Sequence, residues 1–229
     1  MDQINALNTN LLQAECWVFD LDNTLYPATS DIFAQVDEKM TLFIAEFLSL
    51  GLEAAGKLRK DYYLEHGTTM AGLMAHHGLK PGKFLDYVHD IDLSTVSTDK
   101  ALDEALSRLA GRKIIFTNGP ADHAGRILDK LAVRHHFDAV FDIIIAGYIP
   151  KPKPEAYDAL VEMHGLKPDK TVMVEDLARN LGPAAALGMT TVWVRQNEGP
   201  DVTKDPDAPV DHVHHIVDDL VPWLAQLTA

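Results

Sequence analysis

The chain has 229 residues, of which 47% are hydrophobic and 24% are charged, values typical of a globular protein with a sizeable core. Its formal charge of −14 disfavours nonspecific binding to nucleic acid or to anionic membranes, because both need clustered Lys and Arg. A small anionic substrate would therefore require a local positive centre, such as a metal ion or one well-placed lysine.

The N-terminal segment predicts no targeting signal. MDQINALNTNLLQAE has neither the basic start nor the apolar stretch of a secretory signal, and no later apolar run is long enough to span a bilayer. The single cysteine, Cys16, cannot form an internal disulfide and lies in the apolar run CWVFDL, which favours packing. We therefore expect a cytoplasmic protein without a membrane partner. A monomer and a homodimer are both compatible with the sequence.

Short apolar strands then alternate with amphipathic helices along most of the chain. Each strand candidate is a nearly continuous apolar run of the kind that is buried on both faces. This alternation predicts an α/β fold with a Rossmann-like parallel sheet flanked by helices. We predict strands at Cys16–Leu21, Lys113–Thr117, Ala139–Ala146, Thr171–Val174 and Thr191–Val194, and helices at Asp122–Leu131, Pro154–Met163, Ala178–Leu187 and near the C-terminus.

An insertion separates the first predicted strand from the second. About ninety residues lie between them, whereas a crossover helix needs only about a dozen. Apolar residues recur there at helical spacing after Ser30, a candidate N-cap, and Thr98 is a candidate N-cap where the main fold resumes. These patterns predict a small helical domain over residues 27–97, inserted into a core domain formed by residues 1–26 and 98–229.

Polar residues directly follow the predicted strands. In open parallel sheets, ligands bind beyond the carboxyl ends of the strands, so residues at these positions are candidates for function. Asp20 and Asp22 of DLDNTL lie two residues apart and are predicted to face the same crevice, where a magnesium ion would relieve their repulsion. Asp20 would then be a nucleophile that forms an aspartyl-phosphate, and Asp22 would protonate the leaving alkoxide and later activate water.

Taken alone, such a pair of aspartates is more typical of a turn or a helix cap, because Asp readily accepts hydrogen bonds from nearby backbone. The other strand ends favour the functional interpretation. Thr117, Asn118 and Gly119 follow the second strand and would hold phosphoryl oxygens, although TNGP also fits an ordinary turn. After the third strand, either Lys151 or Lys153 of PKPKPE would neutralise charge that accumulates in phosphoryl transfer.

The fourth strand stops at two carboxylates, Glu175 and Asp176. Asp176 lies further beyond the strand end and is the predicted metal ligand, with Glu175 and Asn180 supporting it. Asp176, Arg179 and Asn180 also fit a helix cap, where a carboxylate favours the positive end of the helix dipole. The two roles are compatible.

The order DLDNTL, TNG, KPKP and ED with a downstream Asn resembles the four motifs of the haloacid dehalogenase-like hydrolase superfamily, over nearly the whole chain. The resemblance implies that Asp20 is the nucleophile, Asp22 the acid and base, Thr117 the phosphate binder and Lys151 the neutralising lysine. It also implies Mg²⁺ held by the side chains of Asp20 and Asp176 and by the main-chain oxygen of Asp22. The helical insertion would be the family's cap, which closes over the site.

More narrowly, DLDNTLYP, YYLEHGTTMAGL, YVHDIDL and VEDLARNL resemble the pyrimidine 5′-nucleotidase branch of this superfamily. This resemblance implies a small phosphorylated metabolite as substrate, such as uridylate or cytidylate, and no nucleic acid polymer. Tyr63, His66, Thr68 and Thr69 of the insertion are candidates for substrate contact, with packing as the alternative for each of them.

Other functions compete with a nucleotide phosphatase. Asp22 argues against a haloalkanoate dehalogenase, because the leaving group of that reaction is a halide, which needs no proton donor. A sugar-phosphate or phosphoglycolate-type phosphatase would use the same residues, and a phosphosugar mutase would return the phosphoryl group to its substrate. A noncatalytic binding protein on this fold would be expected to lack a motif residue, and none is missing. The late histidines His212, His214 and His215 are predicted to lie on the surface.

Overall fold

The computed structural model of the chain describes residues 11–195 and 210–227, so part of the N-terminal segment without a targeting signal lies outside the described residues. Six strands form one parallel sheet in the order β3-β2-β1-β4-β5-β6, which confirms the Rossmann-like prediction. Within the described ranges, no helix combines the length and the apolar character that crossing a bilayer demands. The strands are β1 Cys16–Phe19, β2 Arg112–Phe116, β3 Ala139–Phe141, β4 Thr171–Glu175, β5 Thr190–Val194 and β6 His215–Val217.

Helices cover both faces of this sheet. Successive side chains of a strand point to opposite faces, so each strand contributes to two buried clusters. In β1, Trp17 and Phe19 belong to one buried cluster, and Cys16 and Val18 belong to another. Residues on both faces of the central strands are therefore buried, which explains the nearly continuous apolar runs. The helices are α1 Ile32–Leu48, α2 Leu52–His66, α3 Thr69–His77, α4 Pro81–Val88, α5 Lys100–Arg108, α6 Ala121–Leu131, α7 Pro154–His164, α8 Ala178–Ala186 and α9 Leu220–Leu227.

Helices α1 to α4 lie between β1 and β2, where the sequence predicts the helical insertion. Helix α1 begins at Ile32 and has Asp31 as its N-cap residue, so the predicted N-cap at Ser30 is wrong. Ser30 instead ends a short 3₁₀ turn, and its main-chain oxygen accepts a hydrogen bond from the Thr95 hydroxyl at 3.0 Å. The preceding turn therefore displaces the helix start.

The start of α5 also differs from the prediction by one residue. Asp99 is the N-cap, and its carboxylate accepts a hydrogen bond from the main-chain N–H of Leu102 at 2.9 Å. Thr98, the predicted N-cap, precedes it. A carboxylate at this position satisfies an otherwise unpaired donor of the first helical turn, which explains why Asp99 takes the capping role.

The position of β1 in the sheet brings the predicted functional residues together. β1 lies between β2 and β4, and the register pairs Phe19 with Ile115 on one side and with Val174 on the other. Parallel strands in register end at the same edge of the sheet. The residues that follow β1, β2 and β4 therefore converge at this edge.

Candidate active site

A cleft opens at the carboxyl edge of the sheet, between the strand ends and the helical insertion. Ligands of open parallel sheets bind at this edge. Every residue predicted for catalysis, phosphate binding or metal binding lines it, namely Asp20, Asp22, Thr117, Asn118, Gly119, Lys151, Glu175, Asp176 and Asn180.

Lys151 is a buried cation in this cleft, with 1% of its surface exposed. Its ammonium donates hydrogen bonds to Asp20 Oδ1 at 2.6 Å, to Glu175 Oε1 at 2.8 Å and to the Phe116 carbonyl at 2.8 Å, which uses all three N–H donors. Burial alone lowers the pKa of Lys151, but the two carboxylates outweigh it and raise the pKa above its ordinary value. Lys153 is exposed at the start of α7. The structure thus brings Lys151, and not Lys153, to Asp20.

The residues after β2 support this lysine and the floor of the cleft. Asn118 Oδ1 accepts a hydrogen bond from the main-chain N–H of Lys151 at 2.8 Å, and its amide donates to the Lys151 carbonyl at 3.3 Å. Both ends of the amide are used, so phosphate binding by Asn118 stays a prediction for its main-chain N–H. The buried Thr117 hydroxyl accepts a hydrogen bond from the Gly119 N–H at 2.9 Å and lies on the cleft wall.

Asp20 is fixed by its main chain and by both carboxylate oxygens. Its N–H donates to the Val174 carbonyl at 2.9 Å, which continues the β1–β4 pairing by one residue. Oδ1 accepts the bond from Lys151, and Oδ2 accepts one from the Thr24 hydroxyl at 2.9 Å. Burial raises the pKa of Asp20 to about 7, although the charge of Lys151 opposes the increase. A neighbouring cation would therefore favour its ionised form.

Asp22 has a different environment from Asp20. Its Oδ1 accepts hydrogen bonds from the Tyr26 hydroxyl at 2.6 Å and from His123 Nε2 at 2.8 Å. Burial alone raises the pKa of Asp22, but His123 and the two hydrogen bonds outweigh it and hold the pKa at about 2. The two aspartates of DLDNTL therefore differ in pKa, with Asp20 raised by burial and Asp22 lowered by its hydrogen-bond partners.

Glu175 and Asp176 have different partners at the end of β4. Glu175 Oε1 accepts hydrogen bonds from Lys151 and from the Asn180 amide, at 2.8 and 2.6 Å, and Oε2 accepts one from the Leu177 N–H at 2.7 Å. In the part of the chain that the structure describes, no N–H group donates to the Asp176 carboxylate. Burial, followed by the charges of Glu175 and Asp20, raises the pKa of Asp176 well above its ordinary value.

A divalent cation fits this group of carboxylates. Oxygens of Asp20, Glu175 and Asp176 lie within 4.8 Å of one another. Three ionised carboxylates around the single ammonium of Lys151 leave two negative charges, and buried charge without a partner is costly. Carboxylate oxygens are ligands that Mg²⁺ prefers. Because Glu175 already accepts three hydrogen bonds, Asp20 and Asp176 are the side chains suited to hold the ion.

Three of the four insertion residues predicted to contact substrate lie at the cleft. Tyr63, Thr68 and Thr69 line it, and the Tyr63 ring centroid lies 4.2 Å from the guanidinium of Arg179. His66 lies outside the cleft, and its Nε2 is 3.0 Å from Nε2 of His76. The insertion therefore contributes directly to the wall opposite the strand ends.

The sequence profile of the haloacid dehalogenase-like hydrolase family matches residues 15–188, a range that includes every predicted site residue. The chain belongs to this family. It is similar to Phosphate metabolism protein 8 of Saccharomyces cerevisiae, with 26% identity over 189 residues that cover 75% of this chain and 58% of the yeast protein. The chain thus spans less than two thirds of this curated relative.

Solved structures of this hydrolase family have the same fold. A HAD phosphatase from Thermococcus onnurineus matches with a TM-score of 0.59 and 18% identity, over 93% of this chain and 97% of its own. The L-2-haloacid dehalogenase from Xanthobacter autotrophicus matches with a TM-score of 0.58 and 17% identity, over 93% and 98%. At this level of identity the likeness establishes the fold, while the chemistry must be argued from the site.

Four side chains that shape the site have no individual site role in the sequence predictions. These are Thr24, Tyr26, His123 and Arg179, the last of which is predicted only as part of a helix cap. Thr24 and Tyr26 carried a usable signal, because each lies four residues after the aspartate that it contacts. His123 lies 101 residues after Asp22, and only the fold brings the two together. Long-range pairs of this kind leave no local pattern in the sequence.

Proposed function

We propose that this hydrolase is a magnesium-dependent phosphomonoester hydrolase that acts through an aspartyl-phosphate on Asp20. The observation that carries the proposal is the second carboxylate, Asp22, beside an Asp20 that is bonded to Lys151. Displacement of halide from carbon needs a carboxylate nucleophile but no proton donor, whereas an alkoxide leaving group needs both.

Two steps complete the reaction. In the first, an Asp20 oxygen bonds to phosphorus while the bond to the substrate oxygen breaks, and Asp22 gives its proton to that oxygen. In the second, Asp22 takes a proton from water, whose oxygen bonds to phosphorus while the bond to Asp20 breaks. Free phosphate leaves and both aspartates are restored. A bound phosphoryl group brings negative charge beside Asp22, which raises its pKa and favours the protonated form that the first step needs.

Donors around the nucleophile would stabilise the transferred group. The Thr117 hydroxyl lies on the cleft wall, where its oxygen accepts from the Gly119 N–H and its own hydrogen can be donated to a phosphoryl oxygen. Lys151 offsets negative charge on Asp20 and on the group being transferred. Mg²⁺ held by Asp20 and Asp176, with the main-chain oxygen of Asp22, would supply further neutralisation of carboxylates and phosphate.

We also propose a pyrimidine nucleoside 5′-monophosphate as the substrate, with residues 27–97 as a cap on the core of residues 1–26 and 98–229. The resemblance of the motifs to the pyrimidine 5′-nucleotidase branch suggests this class. The cleft wall supports it, because the insertion contributes apolar and aromatic side chains that suit a flat base. These side chains include Phe33, Val36, Met40, Tyr63 and Phe84.

A phosphate-release screen tests the proposal, using uridylate, cytidylate, sugar phosphates and phosphoglycolate with and without Mg²⁺. We expect magnesium-dependent release from pyrimidine monophosphates, abolished in Asp20→Asn and retained in Asp92→Asn, which changes an exposed aspartate. Turnover by Asp20→Asn would refute the nucleophile. Release from sugar phosphates alone would refute the nucleotide assignment, an isomerised product would indicate a mutase, and chloride release from haloacids without phosphate release would refute the phosphatase.

A further inference from the structure

His123 is a buried histidine behind the cleft, with 2% of its surface exposed. It lies on α6, and its Nε2 is 2.8 Å from Oδ1 of Asp22. A carboxylate can only accept, so Nε2 carries the hydrogen and donates it. Asp22 lines the cleft, whereas His123 and Tyr26 do not. Both therefore contact Asp22 without lining the cleft themselves.

The two donors bind the same oxygen of Asp22. Tyr26 donates to Oδ1 at 2.6 Å and His123 donates to Oδ1 at 2.8 Å, whereas no group of the described ranges donates to Oδ2. A carboxyl oxygen that accepts two hydrogen bonds is poorly suited to carry the proton, so the transferable proton belongs on Oδ2. The two bonds also oppose rotation of the carboxyl group. They thus select the oxygen that is presented to a leaving group.

The helix that carries His123 is tied to the insertion as well. Arg126, three residues further along α6, donates hydrogen bonds to the main-chain oxygens of His89 and Ile91 at 2.9 and 2.8 Å. The ring of His89 packs against the ring of His123, with 4.7 Å between their centroids. The His123 ring is therefore held between Asp22 and the segment that follows α4. Its orientation is fixed from two sides.

We propose that His123 is a positioning residue which, together with Tyr26, orients the Asp22 carboxyl for proton transfer to the leaving group. The proposal rests on the phosphomonoester hydrolase function proposed above, and it assigns a residue outside the four motifs. An alkoxide is a strong base and needs the proton as it leaves, whereas a nitrophenolate is stable without it. Loss of His123 should therefore affect alkyl esters selectively.

The test compares kcat/KM for an alkyl phosphate and for 4-nitrophenyl phosphate, because kcat/KM covers the steps up to leaving-group departure. His123→Phe keeps a ring without a donor and should lower the alkyl value by about 10²-fold and the aryl value by less than about threefold. His123→Gln keeps an N–H near the Nε2 position and should recover most of the alkyl activity. Equal losses on both esters, or no loss on either, would overturn the proposal.

Tyr26→Phe is the second variant if His123→Phe does not fold. It removes only the hydroxyl oxygen and with it the other hydrogen bond to Asp22 Oδ1. It should produce a smaller loss that is again confined to the alkyl ester. An aryl loss of equal size would contradict positioning through Asp22.

Failure of the phosphatase function has its own signature, because the wild-type protein would then hydrolyse neither ester. Thermal unfolding of Asp22→Ala, which removes the acceptor, of His123→Phe and of the double variant provides a readout that does not depend on turnover. The shifts in midpoint should be non-additive, since each single change already breaks the same hydrogen bond. Additive shifts would show that the bond between His123 and Asp22 is not formed.

Discussion

Lys151→Met replaces a buried ammonium by an apolar side chain of similar length. Asp20 and Glu175 each lose a charged hydrogen bond, at 2.6 and 2.8 Å, and the Phe116 carbonyl loses its donor. Asp20 and Glu175 are 6% and 1% exposed, so water cannot readily replace the lysine. Removal of one partner from a buried ion pair costs about 3–5 kcal/mol, because it leaves uncompensated charge. We expect a loss of unfolding free energy in this range.

The size of this loss should depend on pH. The pKa of Asp20 is about 7, raised by burial, and Lys151 lowers it, so the substitution moves it higher. A carboxyl whose pKa is raised on folding favours the folded state when protonated, and this contribution disappears as pH rises through the folded pKa. The difference between variant and wild type should therefore be larger at about pH 9 than at about pH 6.

Urea unfolding at both pH values measures this difference directly. Lys153→Met is the matched control, because Lys153 lies two residues away on the exposed surface, and its effect should stay within about 0.5 kcal/mol. Equal losses in the two variants would refute the assigned role of Lys151. A loss that does not change with pH would refute the link to protonation of Asp20.

Two pairs of variants test local structure by thermal unfolding. Gly72→Ala in α3 should destabilise by about 1–3 kcal/mol, because the added Cβ would overlap the ring of Tyr62. Gly56→Ala in α2 is the control, because its added Cβ would lie 3.7 Å from the nearest atom, and it should stabilise the protein by about 1 kcal/mol. A stabilising effect of Gly72→Ala would contradict the packing of Gly72 against Tyr62. Asp99→Ala should cost about 1 kcal/mol and Thr98→Ala close to nothing, and the reverse order would make Thr98 the N-cap.

The predicted length of β3 shows where hydrophobic runs mislead. The apolar run continues to Ala146, but the strand ends at Phe141. The carboxylate of Asp142 accepts hydrogen bonds from the N–H groups of Ile144 and Ile145, at 3.1 and 2.8 Å, and turns the chain out of the sheet. These two isoleucines are 48% and 46% exposed. An aspartate within the run was the signal that the strand stops.

The sequence predicts no strand for β6, which is only three residues long and begins at His215. Such a segment is too short to display a periodic pattern, and it pairs with β5 at the sheet edge. His214 is exposed as predicted, whereas His212 and His215 are partly buried. His212 Nε2 donates to the Ala178 carbonyl at 2.6 Å. Contacts with an existing sheet, rather than local propensity, define this strand.

The strand-end residues of the site could be predicted because one topological rule places them together. Spacing alone does not separate Lys151 from Lys153, because both occur in PKPKPE with the same neighbours, and only the resemblance to the family motif favours Lys151. The choice depends on the path of the main chain, which Asn118 fixes by bonding both the N–H and the carbonyl of Lys151. The side chain that continues from this anchored backbone reaches Asp20, a contact 131 residues apart in sequence.

The substrate side of the cleft is harder to predict for a physical reason. Val36, Phe84 and Val88 are at most 5% exposed, and each also lines the cleft. A helix that buries one face in a protein core has the same apolar spacing as a helix whose face borders a ligand cavity. The polar residues of the site follow the strand ends, whereas the apolar wall of the cleft is formed by residues of the insertion. If the proposed function holds, substitutions on the wall should change which phosphate ester is hydrolysed while the proposed phosphoryl transfer to Asp20 continues.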